Sequence, residues 1–97
     1  MRLNEEDINF IKRTTQDCFG SNAIVYLFGS RVDDKKRGGD IDLYIETDIT
    51  ENIFKRKLKM LVELEKLIGE QKIDIIINNF IQEKFIYHVA KSEGILL

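Results

Sequence analysis

Three aspartates and a glycine-serine pair carry the chemistry open to this chain. Asp40 and Asp42 stand one residue apart, and Asp74 interrupts the run Lys72-Ile73-Asp74-Ile75-Ile76-Ile77. In a strand, side chains two apart point to the same face, so Asp40 and Asp42 project together. Carboxylates that close repel unless a cation sits between them, and all-oxygen ligands suit Mg²⁺ or Mn²⁺. The same spacing also fits a strand whose polar face is simply in water. Asp74 has apolar neighbours on both sides, and an ionised carboxylate buried there is costly unless it is paired or bound to a metal. The other reading of Asp74 is an edge strand, with the acid in water or paired with a lysine. Gly29-Ser30 closes the apolar run Ala23 to Phe28. A glycine at a strand end lets backbone approach a phosphate, and the amides that follow can donate to it. Taken alone, such pairs mostly make turns.

Neither a G-x-x-x-x-G-K-[ST] loop nor a G-x-G-x-x-G fingerprint occurs, so the two commonest phosphate cradles are excluded. Arg31 adjoins the glycine-serine turn and could meet an anion, whereas the run Lys35-Lys36-Arg37 reads first as a solvated loop. His88 is the single histidine, and no partners for a triad are spaced to join it, so surface or helix-end packing is expected. Cys18 reads as a small core residue. Tyr26, Phe28, Phe80, Phe85 and Tyr87 read as core or interface aromatics.

These groups need elements to position them. Asn4 caps a helix with acids in its first turn and Ile8, Ile11, Thr15, Cys18 and Phe19 at helical spacing, ended by Gly20. Ala23 to Phe28 is a short apolar run, expected to be a buried strand. Arg31 to Gly39 is a polar loop. Ile41, Leu43 and Ile45 alternate with Asp42, Tyr44 and Glu46, the period of a second strand. From Thr50, read as N-cap, to Ile68, the positions Ile53, Phe54, Leu58, Leu61, Leu64, Leu67 and Ile68 are helical, and Met60 and Val62 widen the apolar arc. Lys72 to Ile77 is a third strand. Gln82 to Ser92 is a closing helix with Phe85, Ile86, Val89 and Ala90 inward. The order implies one α/β (α+β) domain over residues 1–97, a small three-stranded mixed sheet covered by helices.

Composition bounds the partners. The 97 residues support one core and leave no room for a second lobe to hold a bulky substrate. A formal charge of -2 gives no global basic field, so extended nucleic acid is not expected as a partner. No window is long and apolar enough for a membrane span, no signal peptide is visible and Cys18 has no partner, so the expected location is cytoplasmic.

The sequence Gly29-Ser30, nine residues, then Asp40-Ile41-Asp42-Leu43-Tyr44-Ile45, with Asp74 on a later strand, resembles the minimal nucleotidyltransferases of the DNA polymerase β superfamily. The spacing from Ser30 to Asp40 is one residue shorter than that family's usual pattern. The resemblance implies that Gly29, Ser30 and Arg31 bind the nucleotide phosphates and that Asp40, Asp42 and Asp74 are catalytic and bind the metal, Mg²⁺ or Mn²⁺. It further implies transfer of AMP from ATP to a hydroxyl. Small stand-alone members of that family are often encoded with a helical HEPN-type partner, so the resemblance implies an antitoxin that modifies a tyrosine of a HEPN-type toxin, and a possible hetero-oligomer. Transfer to a small molecule such as an antibiotic, or a binding module that neutralises a partner without catalysis, are the alternatives.

Overall fold

The computed structural model describes residues 3–29, 40–69 and 71–97. Along the chain run α1 (Glu5–Phe19), β1 (Ile24–Phe28), β2 (Ile41–Glu46), α2 (Ile53–Ile68), β3 (Ile73–Asn78), α3 (Phe85–Glu93) and β4 (Ile95–Leu96). The strands form a mixed sheet in the order β3-β2-β1-β4, with β1 antiparallel to β2 and β4, and β2 parallel to β3.

Local chemistry accounts for the first helix. The Asn4 side chain accepts from Asp7 N at 2.7 Å, and Glu5, Glu6 and Asp7 place negative charge at the positive end of the helix dipole. Its buried face is Ile11, Thr14, Thr15, Cys18 and Phe19. The second helix starts differently from expectation. Thr50 is not its N-cap; Asn52 holds that position in the left-handed region (φ 55°) with no side-chain cap bond. The Arg56 guanidinium ties the entry down by donating to Glu51 O at 3.0 Å and Cys18 O at 2.9 Å.

Alternation divides the sheet into two faces. Val25, Leu27, Ile41, Leu43, Ile45 and Ile75 are buried on one face, with Ile11, Cys18 and Phe19 of α1 and Met60 and Leu64 of α2 packed on them. Each fully buried aliphatic side chain of this set contributes about 1.5–3 kcal/mol to folding. The opposite face carries Asp42, Tyr44 and Glu46 on β2 beside Asp74, Ile76 and Asn78 on β3. Helix α3 lies across this second face. Tyr87 stacks at 5.9 Å from Tyr44 and donates its hydroxyl to Ile77 O at 3.0 Å. At the end of α3 a Cβ on Gly94 would collide with Ala90 O and come within 3.0 Å of Leu27 O, so glycine is what lets the chain pass this close to β1.

Among the described residues four strands stand where three were expected. Ile95–Leu96 pairs with Leu27 and Tyr26 after Gly94, and two residues are too few to show a period of two. β1 is half buried rather than wholly so, with Ile24 40% exposed. The inward stripe of α3 is also shifted: Ala90 is buried as expected, but Phe85 and Ile86 are exposed, and Tyr87 and Lys91 are the side chains that reach the sheet. On α2, Met60 and Leu64 are buried, while Phe54, Leu58 and Val62 face solvent.

Candidate active site

Register builds the site. In the parallel pair of β2 and β3 the Cα partner of Asp42 is Asp74, so both carboxylates leave the same sheet face from neighbouring strands about 4.8 Å apart. On the other side of β2, Asp42 is opposite Phe28, the residue before Gly29. Gly29 has φ +78°, and a Cβ built on it would fall on Asp42 Oδ2, with Cγ at 3.1 Å and Cβ at 3.3 Å. The glycine is therefore required twice, by its backbone and by the carboxylate lying against it. Asp40 stands just before β2, where its carboxylate meets Lys72 Nζ at 3.5 Å and the Lys72 carbonyl accepts from Ile41 N.

Electrostatics follow from this crowding. Burial pushes the Asp42 carboxyl above its ordinary value, the negative charges of Asp74 and then Asp40 push it further, and Lys72 partly opposes them. A carboxylate that its surroundings disfavour is a group that gains from a cation. Asp74 reached this site by a route other than the one expected. It is exposed on β3, the terminal strand among the described residues, so the cost of burying it is not an argument for a metal; its place beside Asp42 is. Among the described residues no three carboxylate, histidine or cysteine side chains close around one point. Asp42 and Asp74, register partners on adjacent strands, are oxygen donors of the kind a hard divalent ion takes, and Asp40 is held by Lys72.

Other candidates separate cleanly. Ser30, Arg31 and the run Lys35-Lys36-Arg37 lie outside the described residues. His88 is exposed and meets Glu83 at 2.8 Å, a surface pair. Cys18 is buried, and burial raises its thiol pKa, which suits a core residue and not a nucleophile. A hollow of about 900 Å³ lies at the far end of β2, around Glu46, Asn78, Phe80 and Phe85. Its polar floor is satisfied internally: Tyr44 Oη donates to Glu46 at 2.9 Å, Asn78 Nδ2 donates to Tyr44 Oη at 3.0 Å, and Lys91 Nζ is 3.3 Å from Glu46. It is remote from the three aspartates by a strand run of roughly 13 Å from Asp42 to Glu46. Sequence reasoning missed Lys72 as the counter-charge of Asp40; the strand register needed to pair them was not visible in either segment alone.

A mixed sheet with two helices on one face, and on the other a carboxylate pair wedged against a glycine corner, defines a domain of the nucleotidyltransferase class. The chain belongs to the polymerase β nucleotidyltransferase family, whose model, described as "Polymerase beta, Nucleotidyltransferase", matches residues 5–97. No curated protein matches the sequence. Among the described residues no helix is long and apolar enough to cross a membrane.

Proposed function

We propose that the protein moves AMP from ATP to a hydroxyl acceptor with the help of Mg²⁺ or Mn²⁺, the acceptor being a tyrosine of a HEPN-type partner that it thereby silences as an antitoxin. The observation that carries the transfer is the register pairing of Asp42 with Asp74 next to Gly29. Asp40, Asp42 and Asp74 would hold the metal, and the bound ion supplies charge to neutralise the phosphates and the oxygens of the displacement. Gly29, Ser30 and Arg31 would seat the β- and γ-phosphates, the glycine by leaving its backbone open to an anion. Asp74, in water at the sheet edge, is free to accept the proton of an incoming hydroxyl. The HEPN-type partner and the tyrosine rest on the family resemblance alone.

The test is a transfer assay with mass readout. The purified chain is incubated with ATP, Mg²⁺ and the product of the neighbouring gene, and the neighbour is weighed. Addition in steps of one AMP, lost on chelation, is the expected result. A stable complex without added mass would show a non-catalytic binder instead, and label on a small molecule only would move the acceptor out of the protein class.

A further inference from the structure

Alternation along β1 sends Val25 and Leu27 into the core and turns Tyr26 and Phe28 to the opposite face. The ladder agrees with this sorting. Tyr26 is the Cα partner of Tyr44, and their ring centroids lie 5.8 Å apart. Two residues further along β1, Phe28 is the partner of Asp42, which on its other side is the partner of Asp74. Side chains directly opposite in an antiparallel pair leave the sheet with Cβ atoms about 4.5–5.5 Å apart. Phe28, Asp42 and Asp74 therefore form one rank across the sheet, with Gly29 following Phe28 at its end.

The two ranks are finished differently. Over Tyr44, α3 lays Tyr87 with centroids 5.9 Å apart, and Gly94 brings the chain down beside Tyr26. Phe28 is not a member of the core cluster, and among the described residues no other ring and no cation stands over it. Its side chain is half-buried, so it is seated in the sheet and still has ring surface to offer. Beside two carboxylates a phenyl ring supplies neither a counter-charge nor a hydrogen bond. What it supplies is a flat apolar π face.

We propose that Phe28 seats the nucleobase: its ring stacks on the base of the bound nucleoside triphosphate and makes the site favour a purine over a pyrimidine. The inference deepens the transfer reading and rests on it for the presence of a triphosphate at Gly29. In that reading the acceptor hydroxyl approaches Asp74, on the β3 flank of Asp42. Displacement at phosphorus runs in line, with the attacking and leaving oxygens on opposite sides, so the nucleotide holds the β1 flank. Phe28 is the aromatic side chain of this rank on that flank, directly before the glycine given to the phosphates. Stacking accepts any base, since each has a π face, and its strength follows the overlap of the rings, which is larger for a purine.

Two variants test this, with inorganic tripolyphosphate as the probe that has phosphates and no base. Phe28→Leu keeps an apolar side chain and removes the ring. By calorimetry in Mg²⁺ it should bind ATP and GTP about tenfold more weakly than wild type, UTP with a smaller loss, and tripolyphosphate unchanged. Unchanged tripolyphosphate binding also shows that the variant is folded at the site. Phe28→Trp keeps a flat ring and should retain ATP binding. The chain contains no tryptophan, so this variant carries a single indole, whose fluorescence ATP should quench and tripolyphosphate should not. Equal weakening of ATP and tripolyphosphate in the leucine variant would make Phe28 a support of the Gly29 corner and overturn the inference. ATP binding at the wild-type level, with a raised KM only for the product of the neighbouring gene, would give the ring to the acceptor and overturn it as well. In both cases the transfer reading stands. Wild-type protein that binds neither ATP nor tripolyphosphate in Mg²⁺ would refute the transfer reading and the base seat together.

Discussion

Asp42→Asn should make the metal-free protein more stable while ending its activity. The carboxylate is disfavoured by burial and by Asp74 and Asp40, and the amide of the same shape removes the charge without opening a cavity against Gly29. Two unit charges on neighbouring strands about 5 Å apart repel by roughly 0.8 kcal/mol in water and about 3 kcal/mol at an effective dielectric of 20. Asp74 is exposed, which pulls the figure toward the lower end, and Lys72 offsets part of it. The net gain expected is on the order of 1 kcal/mol, a rise in Tm of roughly 4–8 °C for a domain of this size. Thermal unfolding followed by circular dichroism in chelator measures it. Repeating the scan with Mg²⁺ supplies the second half: wild type should rise as the ion binds the folded state alone, and the variant should not. A variant that melts at or below wild type in chelator would show that Asp42 is not crowded by its neighbours, and the case for a cation there would fail.

Gly29→Ala should cost about 1–3 kcal/mol, since alanine at φ +78° is strained and its Cβ displaces the Asp42 carboxylate; a denaturant titration checks the stability and an incorporation assay the loss of transfer. The pH dependence has a definite sign. A carboxyl raised in the folded state binds its proton more tightly there than unfolded, so in chelator its contribution to stability is present below the ordinary value of 3.8 and is lost as pH climbs above it. Mg²⁺ binding, which needs the ionised form, should weaken in that same window as pH falls, and calorimetry across it reads both trends. Lys91→Met should destabilise by about 1–2 kcal/mol, because it removes one partner of the buried Glu46 but from a lysine that is itself half in water; transfer per folded molecule should persist, and a fall in transfer greater than the fall in folded fraction would tie the far end of the sheet to catalysis.

Much of this architecture is legible in the residues themselves. The first helix is announced by Asn4 and its acids, β2 by strict alternation, and the three aspartates by the conflict between their charge and their spacing. What escaped was set by tertiary context. β4 has two residues, below any period, and exists because Gly94 lets the chain turn back against β1. The inward face of α3 was misjudged because Phe85 and Ile86 are apolar yet exposed, while Tyr87 and Lys91 carry a polar tip on an apolar stem and do the packing. Asp74 is the instructive case: the sequence singles it out through burial, whereas the structure leaves it exposed and sets it beside Asp42 through strand register.

Two carboxylates on one strand separate structural from chemical use. Asp42 and Glu46 leave the same face of β2, four residues apart, and both are shielded from solvent to some degree. Glu46 receives the Tyr44 hydroxyl, which burial and the Glu46 charge keep protonated by pushing its pKa up to about 12, and the Lys91 ammonium. Asn78 completes the set by donating to Tyr44. Every charge there has its answer within the chain, so the network fixes how α3 crosses the sheet and has nothing left for a ligand. Asp42 has no hydrogen-bond donor among the described residues, two acids for neighbours and a glycine pressed against it. Lys72 offsets this crowding only in part, and a cation bound there would relieve the rest. On this sheet the place for one would be the Gly29 corner, where the carboxylate and the glycine backbone lie against each other.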